Sequence, residues 1–259
     1  MIKDNEMRDG SGNTDILFVV SPANARSPYM PFYFLYLAGY LETKGFRVEI
    51  ADPHARNEAE NVDAILQQVR ALQPRFIGLA CLVTDYDLVL RLATLIRATS
   101  AATILAGNAQ PSIRPEDFLY AGSPVDLVVR GEGELTLCDL LALRSMEAGV
   151  LADIPGIAYQ DGDTVRVNPG REFMDLRECA IPAYHKLDMA WYARPTKYIV
   201  RRLMASAAVI YTGRGCPHRC GFCAADAVWQ ANGRRAGQPA VRPRPLDAVM
   251  DELRLLQDT

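Results

Sequence analysis

Phe76-Ile77-Gly78-Leu79-Ala80-Cys81-Leu82-Val83 is apolar from end to end, without the polar alternation of a strand that has one wet face. A run of this kind reads as a strand buried on both faces, and such strands belong to parallel sheets covered by helices. The flanking sequence supplies those helices. Asn61 to Leu72 carries apolar residues at 62, 65, 66, 69 and 72, which is helical spacing, and Asp85 to Ala98 is helical again. Upstream, Ile16 to Val20 reads as a strand ending in Ser21-Pro22. Pro31 then opens a helix to about Lys44, Gly45 closes it, and Arg47 to Asp52 is the next strand. Downstream, Thr103 to Ala106 and Asp126 to Val129 read as the fourth and fifth strands. The fifth passes through Gly131-Glu132-Gly133-Glu134 into a helix reaching about Met146. Residues 15–148 are therefore expected to form an α/β, doubly wound, Rossmann-like domain on a parallel sheet. Its crevice should lie at the carboxyl ends of the strands, where loops 21–31, 83–85, 107–111 and 130–134 converge. None of these loops is a GxGxxG phosphate fingerprint, so the pattern does not point to a dinucleotide.

The chain has 259 residues, 49% hydrophobic and 23% charged, the balance of a globular protein with room for one large or two ordinary domains. Phe32 to Leu41 is its longest nearly uninterrupted apolar run, too short to cross a bilayer. Residues 1–14 are polar and mixed in charge, unlike a signal peptide; a disordered lead-in and a cytoplasmic location are expected. The net charge of -3 gives no global drive toward nucleic acid. Residues 149–206 read as a linker that contains a β-hairpin, Ile154–Tyr159 and Thr164–Val167 about the polar turn Gln160–Asp163. Between Arg194 and Arg244 basic residues crowd together with Asp226 as the single acid. That excess either offsets an anionic group, faces a phosphate-bearing substrate, or is a solvated connector.

Ala207 to Tyr211 reads as one more buried strand, and it leads into Thr212-Gly213-Arg214-Gly215-Cys216-Pro217-His218-Arg219-Cys220-Gly221-Phe222-Cys223. Three thiolates at CxxxCxxC spacing leave one iron of a cubane cluster without a protein ligand, whereas closed structural sites take four. A zinc site completed by His218, His185 or Cys179 is the rival reading, although no second CxxC or HxxxH pair accompanies the motif. Cys81 and Cys138 sit inside apolar runs, as small core residues do. Leu246 to Leu256 follows as an amphipathic helix, with apolar residues at 246, 249, 250, 253 and 256.

The cysteine motif, with an aromatic before its last cysteine, resembles the signature of the radical S-adenosylmethionine (SAM) superfamily. Residues 15–148 resemble the cobalamin-binding domain that precedes the barrel in one large class of those enzymes. The matching pieces are Pro31–Gly45 with Val48–Asp52, the strand end Ala80–Asp85, Ala106–Leu119, and Val128–Leu141 with its Arg-Gly-Glu-Gly-Glu core. The resemblance implies a 4Fe-4S cluster on Cys216, Cys220 and Cys223, with SAM chelating the open iron. It also implies cofactor contacts at Thr84, Gly107, Asn108, Gly131, Glu132, Gly133, Glu134 and Phe222. Asp52-Pro53-His54 is similar to the start of the DxHxxG motif that ligates cobalt in other cobalamin proteins. Here, however, it follows the second strand and position 57 is Asn, so His54 reads as a surface-loop residue and cobalamin as base-off, without a histidine ligand. Residues 207–259 would then be the start of the radical SAM (βα) partial barrel. The resemblance implies methylation of an unactivated carbon of a small-molecule or peptide substrate, electrons from a flavodoxin or ferredoxin, and a second chain or further residues to complete the barrel. A cobalamin carrier or sensor with a structural or decayed cluster motif, and a SAM-cleaving enzyme with an empty front domain, are the alternatives.

Overall fold

Successive residues of the first strand enter opposite cores. Ile16 and Phe18 pack with the residues of the first long helix, while Leu17 and Val19 pack with the two helices that follow. Both faces are therefore dry, which is why the strands carry no polar alternation. Each Ile, Leu or Phe buried in this way contributes roughly 1.5–3 kcal/mol.

The computed structural model describes residues 14–22, 30–55, 57–194, 196–197, 204–205, 208–218, 220–231, 233 and 238–257. Most of the lead-in and of the 21–31 loop, together with Ala207 and Arg219, lie outside them. In chain order the elements begin β1 (Ile16–Val19), α1 (Phe32–Thr43), β2 (Val48–Ala51), α2 (Glu58–Leu72), β3 (Phe76–Ala80), α3 (Tyr86–Arg97), β4 (Thr103–Gly107) and α4 (Ala109–Ile113). They continue with β5 (Leu127–Val129), α5 (Glu134–Ala142), α6 (Ala148–Leu151), β6 (Ile157–Asp161), β7 (Thr164–Val167), α7 (Met189–Tyr192), β8 (Thr196–Lys197) and β9 (Met204–Ala205). The last four are β10 (Gly213–Gly215), α8 (Ala225–Ala231), β11 (Val241–Pro243) and α9 (Leu246–Gln257).

The main sheet has the order β2-β1-β3-β4-β5-β6-β7, with β1 to β5 parallel and β6 and β7 antiparallel. The order reverses between β1 and β3, the switch point at which a doubly wound sheet opens a crevice. The hairpin that the sequence assigns to a linker is thus the sheet's own edge: Leu127 pairs with Tyr159 and Val129 with Ile157. Three boundaries also differ from the sequence reading. α2 starts at Glu58 because the Asn57 side chain caps it, accepting the Glu60 N–H at 3.0 Å. β3 stops at Ala80 because the Leu82 N–H donates to Asp85 Oδ1 at 2.8 Å and a 3-10 turn follows. α5 stops at Ala142, four residues early, where the Arg75 guanidinium takes the carbonyls of Leu141 and Leu143 at 3.2 and 2.9 Å.

α1 is covered twice, by the sheet on one side and by residues 181–184 on the other, where the Ala183 N–H donates to the Leu35 carbonyl at 3.0 Å. Gly39 permits that approach, since a Cβ there would lie 2.2 Å from the Ile181 carbonyl oxygen. Gly39→Ala is expected to lower stability by about 1–3 kcal/mol through overpacking against backbone. An unchanged denaturation midpoint would show that the 181–184 segment is free to shift. Among the described residues no helix is long and apolar enough to cross a membrane.

Candidate functional site between the strand ends and the cysteine loop

The ends of β3, β4 and β5 form the floor of a cavity of about 780 Å³. Ala80, Gly107, Val129 and the helix-α1 residues Tyr33, Tyr36 and Leu37 line it from the sheet side. The loops are tied to one another by Ser112, which is buried: its hydroxyl donates to the Asn108 carbonyl at 2.6 Å and accepts from the Gly131 N–H at 3.0 Å. Asn108 holds φ at 80°, a backbone region that favours glycine, and its own side chain accepts the Ala109 N–H at 2.7 Å. The roof comes from the other end of the chain: Tyr211, Gly213, Arg214, Gly215, Cys223 and the α8 residues Ala225, Val228 and Trp229.

Of the residues singled out in the sequence, the structure brings Gly107, Asn108, Gly131, Glu132, Gly133, Glu134 and Cys223 into the wall of this one cavity. Thr84 is exposed in the 83–85 turn and Phe222 is 94% exposed, and neither lines it. His54 does not line it either. Nor is His54 a surface-loop residue: its ring stacks on Trp191 at 4.4 Å between centroids, and Nε2 lies 3.3 Å from Asp52 Oδ2. Asp52 also accepts from the Tyr192 hydroxyl at 2.6 Å, and burial pushes its carboxyl above the usual range. The histidine therefore serves to seat α7 on the end of β2.

Glu132 and Glu134 meet arginines rather than open space. Arg214 Nη2 donates to Glu134 at 2.5 Å and its Nη1 lies 3.4 Å from Glu132, while Arg242 also pairs with Glu132. Arg242 in turn stacks on Phe173 at 4.0 Å. Burial alone would lower the Arg214 guanidinium, but the Glu134 carboxylate beside it holds it above its ordinary value. Burial pushes the Glu132 carboxyl up, against the pull of Arg214. β10 and β11, which carry the two arginines, form an antiparallel ribbon in which Arg214 is opposite Arg242. Like charges facing across a ribbon repel, and the two carboxylates offset that repulsion.

The cysteine loop leaves this ribbon at Gly215, whose φ of 107° and close approach to the Ala240 carbonyl exclude a side chain. Cys216 is half-buried, Cys220 and Cys223 are exposed, and the Cys223 N–H donates to the Cys220 carbonyl at 3.0 Å. As a donor set, three neighbouring thiols without a fourth ligand fit a cluster with one open iron. Among the described residues, however, no three His, Cys, Asp or Glu side chains converge as a metal set. Two of the three rival zinc ligands are elsewhere: His185 pairs with Glu42 at 3.2 Å, and Cys179 packs near Tyr40 with its thiol raised by burial, which leaves His218 in the loop itself.

A second polar cluster pins the root of the ribbon, and sequence reasoning missed it. Arg244 and Glu252 are 2% and 0% exposed and pair at 2.5 Å. Tyr184 donates to Glu252 at 2.6 Å, and Tyr36 donates to it at 3.1 Å while accepting from Arg244 at 2.9 Å. Arg244 also reaches the Tyr211 carbonyl at 2.7 Å. This bonding replaces the strand expected over Ala207–Tyr211: residues 208–211 are irregular, and the strand is β10. The only sequence signal was Glu252 itself, an acid among the apolar residues of α9. The structure buries Val249 and Glu252 and leaves Leu246, Met250 and Leu253 exposed, so the expected apolar stripe is only partly the packed face.

Residues 20–141 match the B12 binding domain. That stretch is similar to the domain over most of the parallel sheet. The chain is 30% identical over 154 residues to an uncharacterised methyltransferase of Pyrococcus horikoshii, covering 59% of this chain and 30% of that protein. It is 26% identical over 200 residues to the cobalamin-dependent radical SAM methyltransferase TokK of Streptomyces tokunonensis, covering 76% and 28%. The fold is shared with the radical SAM methyltransferase TsrM of Kitasatospora setae, solved with tryptophan and a SAM analogue, at a TM-score of 0.70 and 22% identity over 95% of this chain and 46% of that one. The chain is thus similar to cobalamin-dependent radical SAM methyltransferases in part of its sequence and in fold, and it spans less than half the length of each of these three.

Proposed function

We propose that this chain is the corrinoid-binding and cluster-bearing part of a radical SAM methyltransferase that acts on an unactivated carbon. One observation carries the reading: the strand ends of the B12-binding domain and the cysteine loop face each other across a single cavity. When bound, the cluster with SAM supplies a 5'-deoxyadenosyl radical, and the corrinoid supplies a transferable methyl group. Cys216, Cys220 and Cys223 would hold the cluster. The glycine-rich strand ends at 107 and 131–133, with Leu37, Leu79 and Leu137, offer backbone and apolar side chains to a flat macrocycle. Trp229, Val228 and Tyr211 close the opposite side and exclude water, which protects a primary radical from side reactions. The substrate is a small molecule or peptide, and the electron comes from a flavodoxin or ferredoxin. Full turnover is proposed for the assembled enzyme, with the remaining barrel supplied in the same chain or by a second one.

Among the described residues no histidine lines the cavity, so cobalamin is expected to bind without a histidine ligand, and in the base-off form that the resemblance implies. Titration with hydroxocobalamin should give a base-off absorption spectrum that His54→Ala leaves unchanged. A folded chain that takes up no corrinoid would overturn this part and favour the empty front domain. The carrier or sensor reading, with a structural or decayed cluster motif, is the alternative. That reading predicts corrinoid uptake with no iron-sulfur spectrum after anaerobic reconstitution.

A further inference from the structure

The two carboxylates of the Arg-Gly-Glu-Gly-Glu segment are paired with arginines that arrive from 80 to 110 residues away. Glu134 is 4% exposed and bonded to Arg214, and Glu132 lies between Arg214 and Arg242. Arg214 is separated from Cys216 by Gly215 alone, so the position of its guanidinium fixes where the cysteine loop begins. We infer that Glu132 and Glu134 are positioning residues: they clasp the β10–β11 ribbon and so hold the cysteine loop at a set height over the strand ends.

Three observations support the inference. The ribbon is short, with three residue pairs, and a two-stranded ribbon of that length has little stability of its own. Its arginines are opposite one another, so without the carboxylates they would drive the strands apart. Its root is held separately, through the Arg244 N–H on the Thr212 carbonyl at 2.9 Å and the Arg244–Glu252 pair, which leaves the tip as the part that needs a second hold. A consequence for ligand choice follows. The charged side chains of the cavity wall, Glu132, Glu134 and Arg214, are paired with one another or with Arg242. The occupant is therefore recognised through backbone and apolar surface, and an ionic ligand group finds no counter-charge there among the described residues.

That the clasp serves chemistry rests on the function proposed above; that it holds the ribbon does not, and the test is made on the full chain free of iron and corrinoid. In a Trp191→Phe background Trp229, in the cavity roof, is the one remaining tryptophan. Glu134→Gln is expected to raise acrylamide quenching of Trp229 about twofold. It should also speed amide exchange at 213–215 and at Val241 and Arg242 by about tenfold or more, the loss of a hydrogen bond to a charged group, with β1 to β4 unchanged. Arg242→Gln, at a less buried position, should act in the same direction if Glu134→Gln fails to fold. Combining Glu134→Gln with Arg214→Gln should recover much of the protection, because no unpaired buried charge is left. Hydroxocobalamin then separates the roles. Clasp variants should change the rate of uptake and keep the bound spectrum. Lost affinity with ribbon exchange and Trp229 quenching as in the parent would make the carboxylates ligand contacts and overturn the inference. A chain that binds no corrinoid would sink the proposed function while the quenching and exchange results still decide the clasp.

Discussion

Glu252→Ala is expected to undock α9 and the root of the ribbon at a cost of about 3–5 kcal/mol, the range for removing one partner of a buried ion pair. The Arg244 guanidinium is 2% exposed, and a single nitrogen, Nη1, serves Glu252, Tyr36 and the Tyr211 carbonyl. Burial alone would lower this guanidinium, and its bond to Glu252 is what holds it above the ordinary value. Without the carboxylate the charge must reach water, and the route is movement of α9 away from α1. Burial also pushes the phenols of Tyr36 and Tyr184 upward, with Glu252 adding to it, so both stay protonated as donors. Tyr184→Phe should cost less, about 1.5–3 kcal/mol for one hydrogen bond to a charged group. Arg244→Met combined with Glu252→Leu should restore most of the docking, because two apolar side chains of similar volume need no partner. Hydrogen exchange along 246–257, set against the amides of β1 and β3, measures all three variants. Exchange in α9 unaltered by Glu252→Ala would mean that the pair does not hold the helix.

The contrast between this cluster and the sheet shows what a sequence displays. Ile16–Val19, Phe76–Ala80 and Thr103–Gly107 announce themselves because each residue's environment, dry on both faces, is reflected in its own identity. A parallel, doubly wound sheet follows from apolar strands separated by helices with right-handed crossovers, whereas the 2-1-3-4-5 order of its parallel part is not fixed by that rule. The hairpin at 157–167 was legible as a hairpin, but its alternation does not say which edge it joins, and Leu127–Val129 was too short a strand to advertise a free side. Ion pairs are legible only when local. Tyr36 and Glu252 are 216 residues apart, and Glu132 and Arg242 are 110 apart. Read alone, an acid in a glycine-rich loop looks like a ligand contact, and an acid in an amphipathic helix looks solvated.

The candidate site divides the same way. Gly107, Asn108 and the 131–134 segment were found because strand ends in a doubly wound sheet are where a crevice must open. Thr84 was placed there by the same rule, but the turn closed by Asp85 carries it outward. The roof residues Tyr211, Val228 and Trp229 carried no signal, since nothing local to 211 or to 228–229 says which surface they cover.

Alanine at Cys216, Cys220 or Cys223 is expected to abolish the cluster altogether, lowering iron after anaerobic reconstitution from about four per chain to background. With only three thiolates available, no spare protein ligand takes the place of a lost one. The remaining cysteines are poor substitutes, because burial pushes the thiol of Cys81 up to about 12, that of Cys138 up to about 11 and that of Cys179 upward, away from the thiolate that binds metal. Cys81→Ala and Cys138→Ala should therefore keep the iron, and any loss of yield there belongs to packing. His218→Ala separates a cluster from zinc. His218 is exposed within the loop, and a cluster that reserves its fourth iron for SAM has no use for it, whereas a zinc site needs four ligands. The expected result is full iron content in His218→Ala, with a reduced spectrum that shifts when SAM is added. Stoichiometric zinc in the parent chain, lost in His218→Ala, would convert the loop into a structural metal site and remove the radical chemistry from the proposal.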